Sequence, residues 1–194
     1  ELFKKIVPDS FLLYKPKDIV SGDFYWFHLT PGPSPNGEGN KRGEVLFAAA
    51  DCTGHGVPGA IMSVICCNAL NDVMKKGTIH QPDLILNNVR EIVTGAFEQR
   101  ENYTTQKDGM DIALIGLSPF PTVSGTVKLQ YAGAYNPLWV IRKGKPSSDS
   151  STILCTTSHY LIEIKADRQP IGLYERMDPF SLHEMDVFKG DTVY

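Results

Sequence analysis

Hydrophobic positions along the chain follow two different periods. Short apolar runs and two-residue alternation in the first and last parts of the chain predict strands, whereas three- and four-residue spacing in the middle predicts helices. The strands are predicted at residues 11–14, 23–29, 45–47, 112–117, 126–132, 138–141, 160–164 and 180–187. A turn and the start of one more strand are predicted at residues 190–194. Residues 31–43 are turn formers and polar residues, which predicts a long hairpin loop.

Two helices are predicted between these groups of strands. The first ends near Gly77, and the second begins near Pro82, a residue tolerated in the first turn of a helix. The apolar stripes consist of Val57, Ile61, Val64, Ile65, Leu70 and Met74 in the first helix and of Ile85, Val89, Ile92, Val93 and Phe97 in the second. We expect both stripes to lie in the core, with Cys66 and Cys67 as small buried apolar residues.

The order of these elements indicates the fold class. Several strands come first, then a helix pair, then more strands, so strand and helix do not alternate as in βαβ units. This order predicts an α+β fold with largely antiparallel sheets. The length of 194 residues suits one domain, and we take residues 1–194 as that domain.

Composition excludes several classes of function. The net charge is −3 and no long cluster of lysine and arginine occurs, so we expect no nucleic-acid partner. The four cysteines, Cys52, Cys66, Cys67 and Cys155, have no C-x-x-C spacing, which argues against a zinc site or a disulfide framework and favours a cytoplasmic location. No signal peptide and no continuous apolar run of about 18 residues occurs. We therefore expect no direct membrane insertion.

Both ends of the sequence lead us to expect a fragment of a larger protein. Glu1 is not preceded by an initiator methionine, and the strand predicted near Thr192 stops as it begins, at Tyr194. The expected domain is therefore truncated at its C-terminal side.

Two aspartates stand where a strand meets a glycine-containing bend. Asp51 follows a buried strand and precedes Gly54 and Gly56, and Asp23 follows Gly22. If the two strands are neighbours, the carboxylates converge, and carboxylate oxygens suit Mg²⁺ or Mn²⁺. The alternative is that Asp51 is a helix cap or turn residue and Asp23 a surface strand residue, because aspartate beside glycine is common in turns.

Asp111 and His55 are further candidates near these turns. Asp111 precedes a buried strand and is either a third acid of the site or a residue of a strand-entry turn. His55 lies between two glycines and could contact phosphate, act as an acid or only shape the turn. The other four histidines, His28, His80, His159 and His183, have no spacing that suggests metal ligation.

Several segments in a fixed order resemble the metal-dependent serine/threonine phosphatases of the protein phosphatase 2C (PPM) superfamily. The similarity is to the bacterial branch named after the stage II sporulation protein E. The segments are YKPKDIVSGDFY at 14–25, ADCTGHGVPGA at 50–60, DGMDIAL at 108–114, YAGAYNP at 131–137 and QPIG at 169–172. One of these segments alone would be weak, whereas the ordered set covers most of the chain.

The resemblance implies an α-β-β-α sandwich, in which two antiparallel sheets lie between helix pairs. It also implies two Mn²⁺ or Mg²⁺ ions at one end of the sheets. Asp51 would bridge the metals, the Cys52 backbone carbonyl would bind one of them, and Asp23 would bind directly or through water. Water held by the metals would hydrolyse phosphoserine or phosphothreonine, so no side chain is expected to act as the nucleophile.

Two departures from the family pattern bear on activity. Trp26 stands where many relatives have another acid, and a further metal-binding aspartate of the family would follow Tyr194. Asp191 precedes the last strand, and we do not assign it that role. The fragment is therefore expected to bind metal weakly and to have little activity. The alternative function is a non-catalytic relative that binds a phosphoprotein or another signalling partner.

The resemblance also implies a setting. The domain would be the output end of a bacterial signalling protein, with a sensor domain upstream in the same chain and a possible membrane tether in the parent protein. The substrate would be a phosphorylated regulator, such as an anti-sigma-factor antagonist. Residues 57–97 would be a regulatory surface, moved by partner domains or by formation of a homodimer.

Overall fold

The computed structural model describes most of the chain. The described residues are 4, 7–16, 18–31, 42–77, 79–98, 108–118, 122, 125–146, 152–156, 158–175 and 177–194. The side chains of residues 31, 42, 98 and 152–155 are outside this description.

The larger of two antiparallel sheets has six strands and contains most of the sequence motifs. Its strands are β1 (Phe24–Pro31), β2 (Arg42–Cys52), β3 (Gly109–Leu117), β4 (Val127–Ala134), β8 (Ile171–Gly172) and β9 (His183–Val187). They lie in the order β1-β2-β3-β4-β9, and β8 pairs with the start of β3. Alanine and larger apolar residues occupy most positions of β2, β3 and β4, which suits strands that are buried on both faces.

The smaller sheet has four strands. They are β5 (Leu138–Lys143), β6 (Thr152–Cys155), β7 (His159–Ile164) and β10 (Thr192–Val193), in the order β10-β5-β7-β6. The short turn between β4 and β5 takes the chain from the larger sheet to the smaller one. All the strand pairs are antiparallel, which confirms the predicted α+β class with antiparallel sheets.

Two helices, α1 (Gly56–Lys75) and α2 (Pro82–Glu98), pack together on one face of the larger sheet. Alternate strand residues separate two cores, since successive side chains in a strand point to opposite faces. Leu46, Ala48 and Ala50 of β2 join the core beneath the helices, whereas Phe47 joins the core between the sheets. The resemblance implied a second helix pair on the other sheet, and the described residues contain only this one.

Helix α1 buries a different face from the predicted one. Leu70 and Met74 are buried as predicted, but Val57, Ile61 and Val64 are 64%, 54% and 59% exposed. The buried face of α1 consists of Gly59, Met62, Cys66, Ala69, Leu70, Val73 and Met74. The prediction was wrong because apolar residues occur around the whole circumference of α1, so periodicity does not single out one face. Cys66 is fully buried as expected, while Cys67 is only half-buried.

Helix α1 is also the one helix in the described part of the chain that is long and apolar enough to cross a membrane. It has 20 residues and a mean hydropathy of 1.4, and 39% of that window is buried inside the protein. Length and composition alone are weak evidence, because core helices of globular proteins share them. Packing of α1 against α2 and the sheet accounts for its buried apolar residues, whereas Val57, Ile61 and Val64 remain exposed.

The predicted first strand is absent from the described residues. Residues 11–14 have no regular structure, and Phe11 and Leu13 are mostly exposed. An apolar run forms a strand only when a neighbouring strand accepts its backbone hydrogen bonds. Tyr14 instead donates its hydroxyl to the Asp23 carbonyl at 3.1 Å. The last long strand begins at His183 rather than at residue 180, and Phe180 is buried beneath the Arg90 guanidinium.

Three glycines bring α1 into backbone contact with the turn that follows β2. A Cβ added at Gly59 would lie 2.5 Å from the Gly54 carbonyl oxygen and 3.3 Å from the Gly22 Cα. A Cβ added at Gly22 would lie 2.8 Å from the Cys52 carbonyl oxygen. Backbone thus packs on backbone here, which requires residues without side chains.

We predict that Gly59→Ala lowers the thermal unfolding temperature, because the new methyl group has backbone atoms in its way. Gly95→Ala is the matched control: Gly95 is also helical and a Cβ there would meet nothing within 4 Å. Alanine should therefore stabilise α2 at residue 95 by about 1 kcal/mol through helix propensity. Equal shifts of the two variants in a thermal melt would contradict the backbone contact.

Candidate active site

Three aspartates lie side by side at one end of the larger sheet. Asp51 is the direct cross-strand partner of Asp111 in the β2–β3 register. Phe24 pairs with Ala50, so the β1–β2 register, continued by one residue, places Asp23 beside Asp51. The condition set by the sequence is therefore met, because the strands that carry Asp23 and Asp51 are neighbours.

All three acids share the face of the sheet that looks toward the smaller sheet. Asp51 is an even number of residues from Phe47 in β2, so the two side chains lie on the same face. Asp111 likewise shares a face with Ala113 and Ile115 in β3. Phe47, Ala113 and Ile115 lie in the core between the sheets. The acids lie at the end of the sheet, next to the last apolar residues of that face, where the space between the sheets opens to solvent. This position gives the carboxylates a rigid base and open space in front.

The electrostatics of the cluster favour a bound cation. The pKa of the Asp51 carboxyl is raised. Burial is the largest cause, and a hydrogen bond with Asp23 and the negative charge of Asp23 are smaller ones. Burial also raises the pKa of Asp111, and the negative charge of Asp51 adds to this effect. Burial and neighbouring negative charge both disfavour the ionised form of a carboxyl group, so both raise its pKa.

Asp51 and Asp111 also line a cavity of about 260 Å³. The other lining residues are Cys52, Thr53, Gly54, Gly109 and Pro170. Thr53 closes the turn onto β3, since its backbone N–H and its hydroxyl donate to the Gly109 carbonyl at 2.9 and 2.8 Å. The Thr53 hydroxyl oxygen also accepts the Gly109 N–H at 2.6 Å. This reciprocal bonding fixes the end of β2 against the start of β3.

The donor set fits a hard divalent cation. Carboxylate and backbone carbonyl oxygens are the ligands that Mg²⁺ and Mn²⁺ prefer, and like-charged carboxylates with raised pKa values gain most from one. Within the described residues, however, no three His, Cys, Asp or Glu side chains already form a group that could hold a metal. The acids are therefore adjacent without being gathered around a single point.

Cys52 lines the cavity, but its thiol is not suited to act as a nucleophile. Its side chain is buried in the core beneath the helices, where contact with the Cys66 thiol, burial and nearby negative charges raise its pKa. A thiol that stays protonated is a poor nucleophile. The Cys52 carbonyl oxygen lies close to Gly22, on the same turn as the acids.

Three other residues named from the sequence have positions that limit their roles. The His55 imidazole is largely exposed and lies 3.9 Å from the Asp18 carboxylate, away from the cavity lining. Trp26 is buried beneath the helices and donates its indole N–H to Asn71 at 2.9 Å. Asp191 is buried and accepts two hydrogen bonds from the Arg142 Nε and one from its Nη2. The Asp191 carboxylate thus holds the Arg142 guanidinium in place.

One residue near the acids has an unusual backbone conformation. Tyr135 has a φ of 58°, the only positive φ of a residue other than glycine in the described ranges. Such a conformation costs about 1–2 kcal/mol for an ordinary L-residue. Two backbone hydrogen bonds to Asp167 stabilise this part of the chain. The Tyr135 N–H donates to the Asp167 carbonyl at 2.9 Å, and the Asp167 N–H donates to the Gly133 carbonyl at 3.0 Å.

Two antiparallel sheets with a row of acids at one end form a fold that this chain shares with solved PP2C domains. The family profile described as stage II sporulation protein E (SpoIIE) matches residues 41–194. The chain therefore belongs to the SpoIIE family. No curated protein sequence matches the chain significantly.

Solved structures with the same fold support this assignment. The SiaA-PP2C domain of Pseudomonas aeruginosa is 23% identical with a TM-score of 0.63, over 94% of this chain and 58% of that one. The PP2C phosphatase domain of Bacillus subtilis SpoIIE, solved with a fragment of its regulatory domain, is 16% identical with a TM-score of 0.52, over 90% of this chain and 40% of that one. RsbX in complex with magnesium is 10% identical with a TM-score of 0.53, over 94% of this chain and 69% of that one. The chain thus spans about three fifths of the length of the SiaA domain.

We predict that Asp51→Asn raises the thermal stability of the metal-free protein at pH 7 and abolishes any stabilisation by Mn²⁺. Protonation of Asp51 stabilises the fold below the ordinary pKa of aspartate, and this contribution is lost as pH rises through the raised pKa of the folded state. The neutral amide escapes the repulsion that remains at pH 7. Thermal melts with and without millimolar Mn²⁺ measure both effects.

Asp72→Asn is the control, because Asp72 is an exposed residue of α1 that pairs with Lys75 at 2.8 Å. It should leave the response to Mn²⁺ unchanged. An Asp51→Asn protein that Mn²⁺ stabilises as strongly as it stabilises the unsubstituted chain would contradict a metal role for Asp51.

Proposed function

We propose that this chain is the catalytic region of a metal-dependent protein phosphatase that hydrolyses phosphoserine or phosphothreonine on a regulatory protein. The observation that carries the proposal is the Asp51–Asp111 cross-strand pair, which lines the cavity and has Asp23 next in register. Membership of the SpoIIE family supports it further.

Two Mn²⁺ or Mg²⁺ ions are the proposed cofactors. Asp51 would bridge them, Asp23 and the Cys52 carbonyl would complete part of the ligand set, and Asp111 would add a third carboxylate. When bound, such ions supply an activated water and neutralise charge on a phosphoryl group. The magnesium complex of RsbX, a protein with the same fold, is consistent with this choice of metal.

The protein residues themselves perform three tasks in this proposal. The strand register keeps the carboxylates adjacent, so that metal binding relieves repulsion that is already present in the fold. The Thr53–Gly109 bonds hold the turn after β2 in place. Bound metal would favour the ionised form of Asp51 and Asp111, opposing the burial and the like charge that raise both pKa values in the metal-free fold.

The proposed setting is bacterial signalling in the cytoplasm. A regulatory region of the same protein would control the domain, as the SpoIIE structure with a fragment of its regulatory domain suggests. The substrate would be a phosphorylated regulator such as an anti-sigma-factor antagonist, and the domain could act as a homodimer. A membrane tether, if present, would belong to the parent protein.

A second candidate is a non-catalytic relative that binds a phosphoprotein without hydrolysing it. Trp26 favours this candidate, because an apolar side chain buried beneath the helices occupies the position where many relatives have an acid. The two candidates differ in turnover but not in recognition of the phosphorylated partner.

We predict that the full-length natural protein hydrolyses p-nitrophenyl phosphate in the presence of Mn²⁺ and that Asp51→Asn lowers kcat by at least about a hundredfold, since a bridging carboxylate would be lost. Release of p-nitrophenol measures the rate, and Asp72→Asn should match the unsubstituted protein. Full activity of Asp51→Asn would remove Asp51 from the mechanism. Phosphopeptide binding without any turnover would favour the non-catalytic candidate.

A further inference from the structure

Tyr135 stands in line with the row of acids. It follows Ala134, which pairs with Ile112, and Ile112 follows Asp111. Continued by one residue, the β3–β4 register brings the chain at Tyr135 beside Asp111. The Tyr135 side chain is 41% exposed, so it lies at the rim of the site and not in the core.

A second tyrosine joins Tyr135 at this rim. The Tyr135 hydroxyl donates to the Tyr174 hydroxyl at 3.0 Å, and the rings meet edge to face with 6.5 Å between their centroids. Asp111 is also close enough for its negative charge to contribute to a raised pKa of the Tyr135 phenol, after the larger effects of the bond to Tyr174 and of burial. The pair thus presents two polar hydroxyls on an aromatic base next to the third acid.

Arg168 occupies the segment between this rim and the cavity. Its neighbour Asp167 bonds through its backbone to Gly133 and Tyr135, and Pro170, two residues further on, lines the cavity. The positive charge of Arg168 acts on the Tyr135 phenol in the direction opposite to that of Asp111. Arg168 therefore lies on the backbone segment that joins Tyr135 to the cavity.

The segment is held in place without Arg168. Buried Gln169 accepts a hydrogen bond from the Arg90 guanidinium at 3.2 Å and donates one to the Asp178 carbonyl at 2.8 Å. Arg168 is exposed, and no carboxylate pairs with it in the part of the chain that the structure describes. Because the Arg168 guanidinium has no carboxylate partner among these residues, it can form an ion pair with a ligand.

We propose that Arg168, together with the Tyr135–Tyr174 pair, is a substrate-recognition rim that binds acidic residues flanking the phosphoserine of a protein substrate. The inference rests on the proposed phosphatase function and specifies its substrate class. The row of aspartates repels an acidic peptide, and Arg168 supplies a local attraction at the point where the flanking residues leave the cavity. The exposed Tyr135 hydroxyl oxygen offers a hydrogen-bond acceptor to an N–H of the peptide backbone.

The test measures binding separately from turnover. The probes are two fluorescent phosphonate peptides, in which a methylene group replaces the ester oxygen of phosphoserine; one has aspartates beside the phosphonate and the other has alanines. They are titrated into the full-length natural protein with Mn²⁺, and fluorescence anisotropy gives Kd. We expect the acidic peptide to bind about fivefold more tightly, the range of a partly exposed ion pair.

Arg168→Gln should abolish this preference, with Kd for the alanine peptide unchanged, and Arg168→Lys should keep part of it. Tyr135→Phe should weaken both peptides alike. Lys143→Gln is the matched charge control, because Lys143 is exposed at the opposite end of β5, and it should keep the full preference.

Equal binding of the two peptides by the unsubstituted protein, or an undiminished preference in Arg168→Gln, would overturn the recognition rim. Hydrolysis of p-nitrophenyl phosphate by the same preparations tests the proposed function independently. A protein that prefers the acidic peptide but hydrolyses nothing would retain the rim and lose the catalytic function.

Discussion

The strand register of the larger sheet is the constraint on which the site depends. It pairs Asp51 with Asp111, brings Asp23 next to them, and directs all three toward the smaller sheet. Because side chains alternate along a strand, a register shift of one residue would turn an acid into the core beneath the helices. The apolar residues of the three strands that carry the acids prevent such a shift, so the same pattern that builds the core also aligns the carboxylates.

The negative charges of Asp51 and Asp111 destabilise this end of the sheet and favour the binding of a cation there. Burial and mutual repulsion raise the pKa values of Asp51 and Asp111, so the metal-free fold carries an electrostatic cost that a cation would remove. Tyr135 adds backbone strain at the same place. Costs of both kinds cluster at functional sites, because the rest of the fold is stable enough to hold them.

Much of this arrangement was predictable from local sequence. Asp23 and Asp51 were identifiable because each lies where a strand meets a glycine-containing bend, and the helix pair followed from its spacing. The exposed face of α1 was not predictable, because Val57, Ile61 and Val64 are as apolar as the residues that the helix buries. Arg168 was missed because its position depends on a long-range backbone contact of its neighbour Asp167, which no periodicity reveals.

The contact of Gly22, Gly54 and Gly59 has a consequence for how this protein can vary. No side chain lies between α1 and the Cys52 carbonyl, so no rotamer can absorb a change in the position of the helix. A displacement of α1 would reach the turn after β2 directly through backbone atoms. The three positions are therefore expected to change together or not at all among homologous chains, while the exposed face of the same helix is free to diverge.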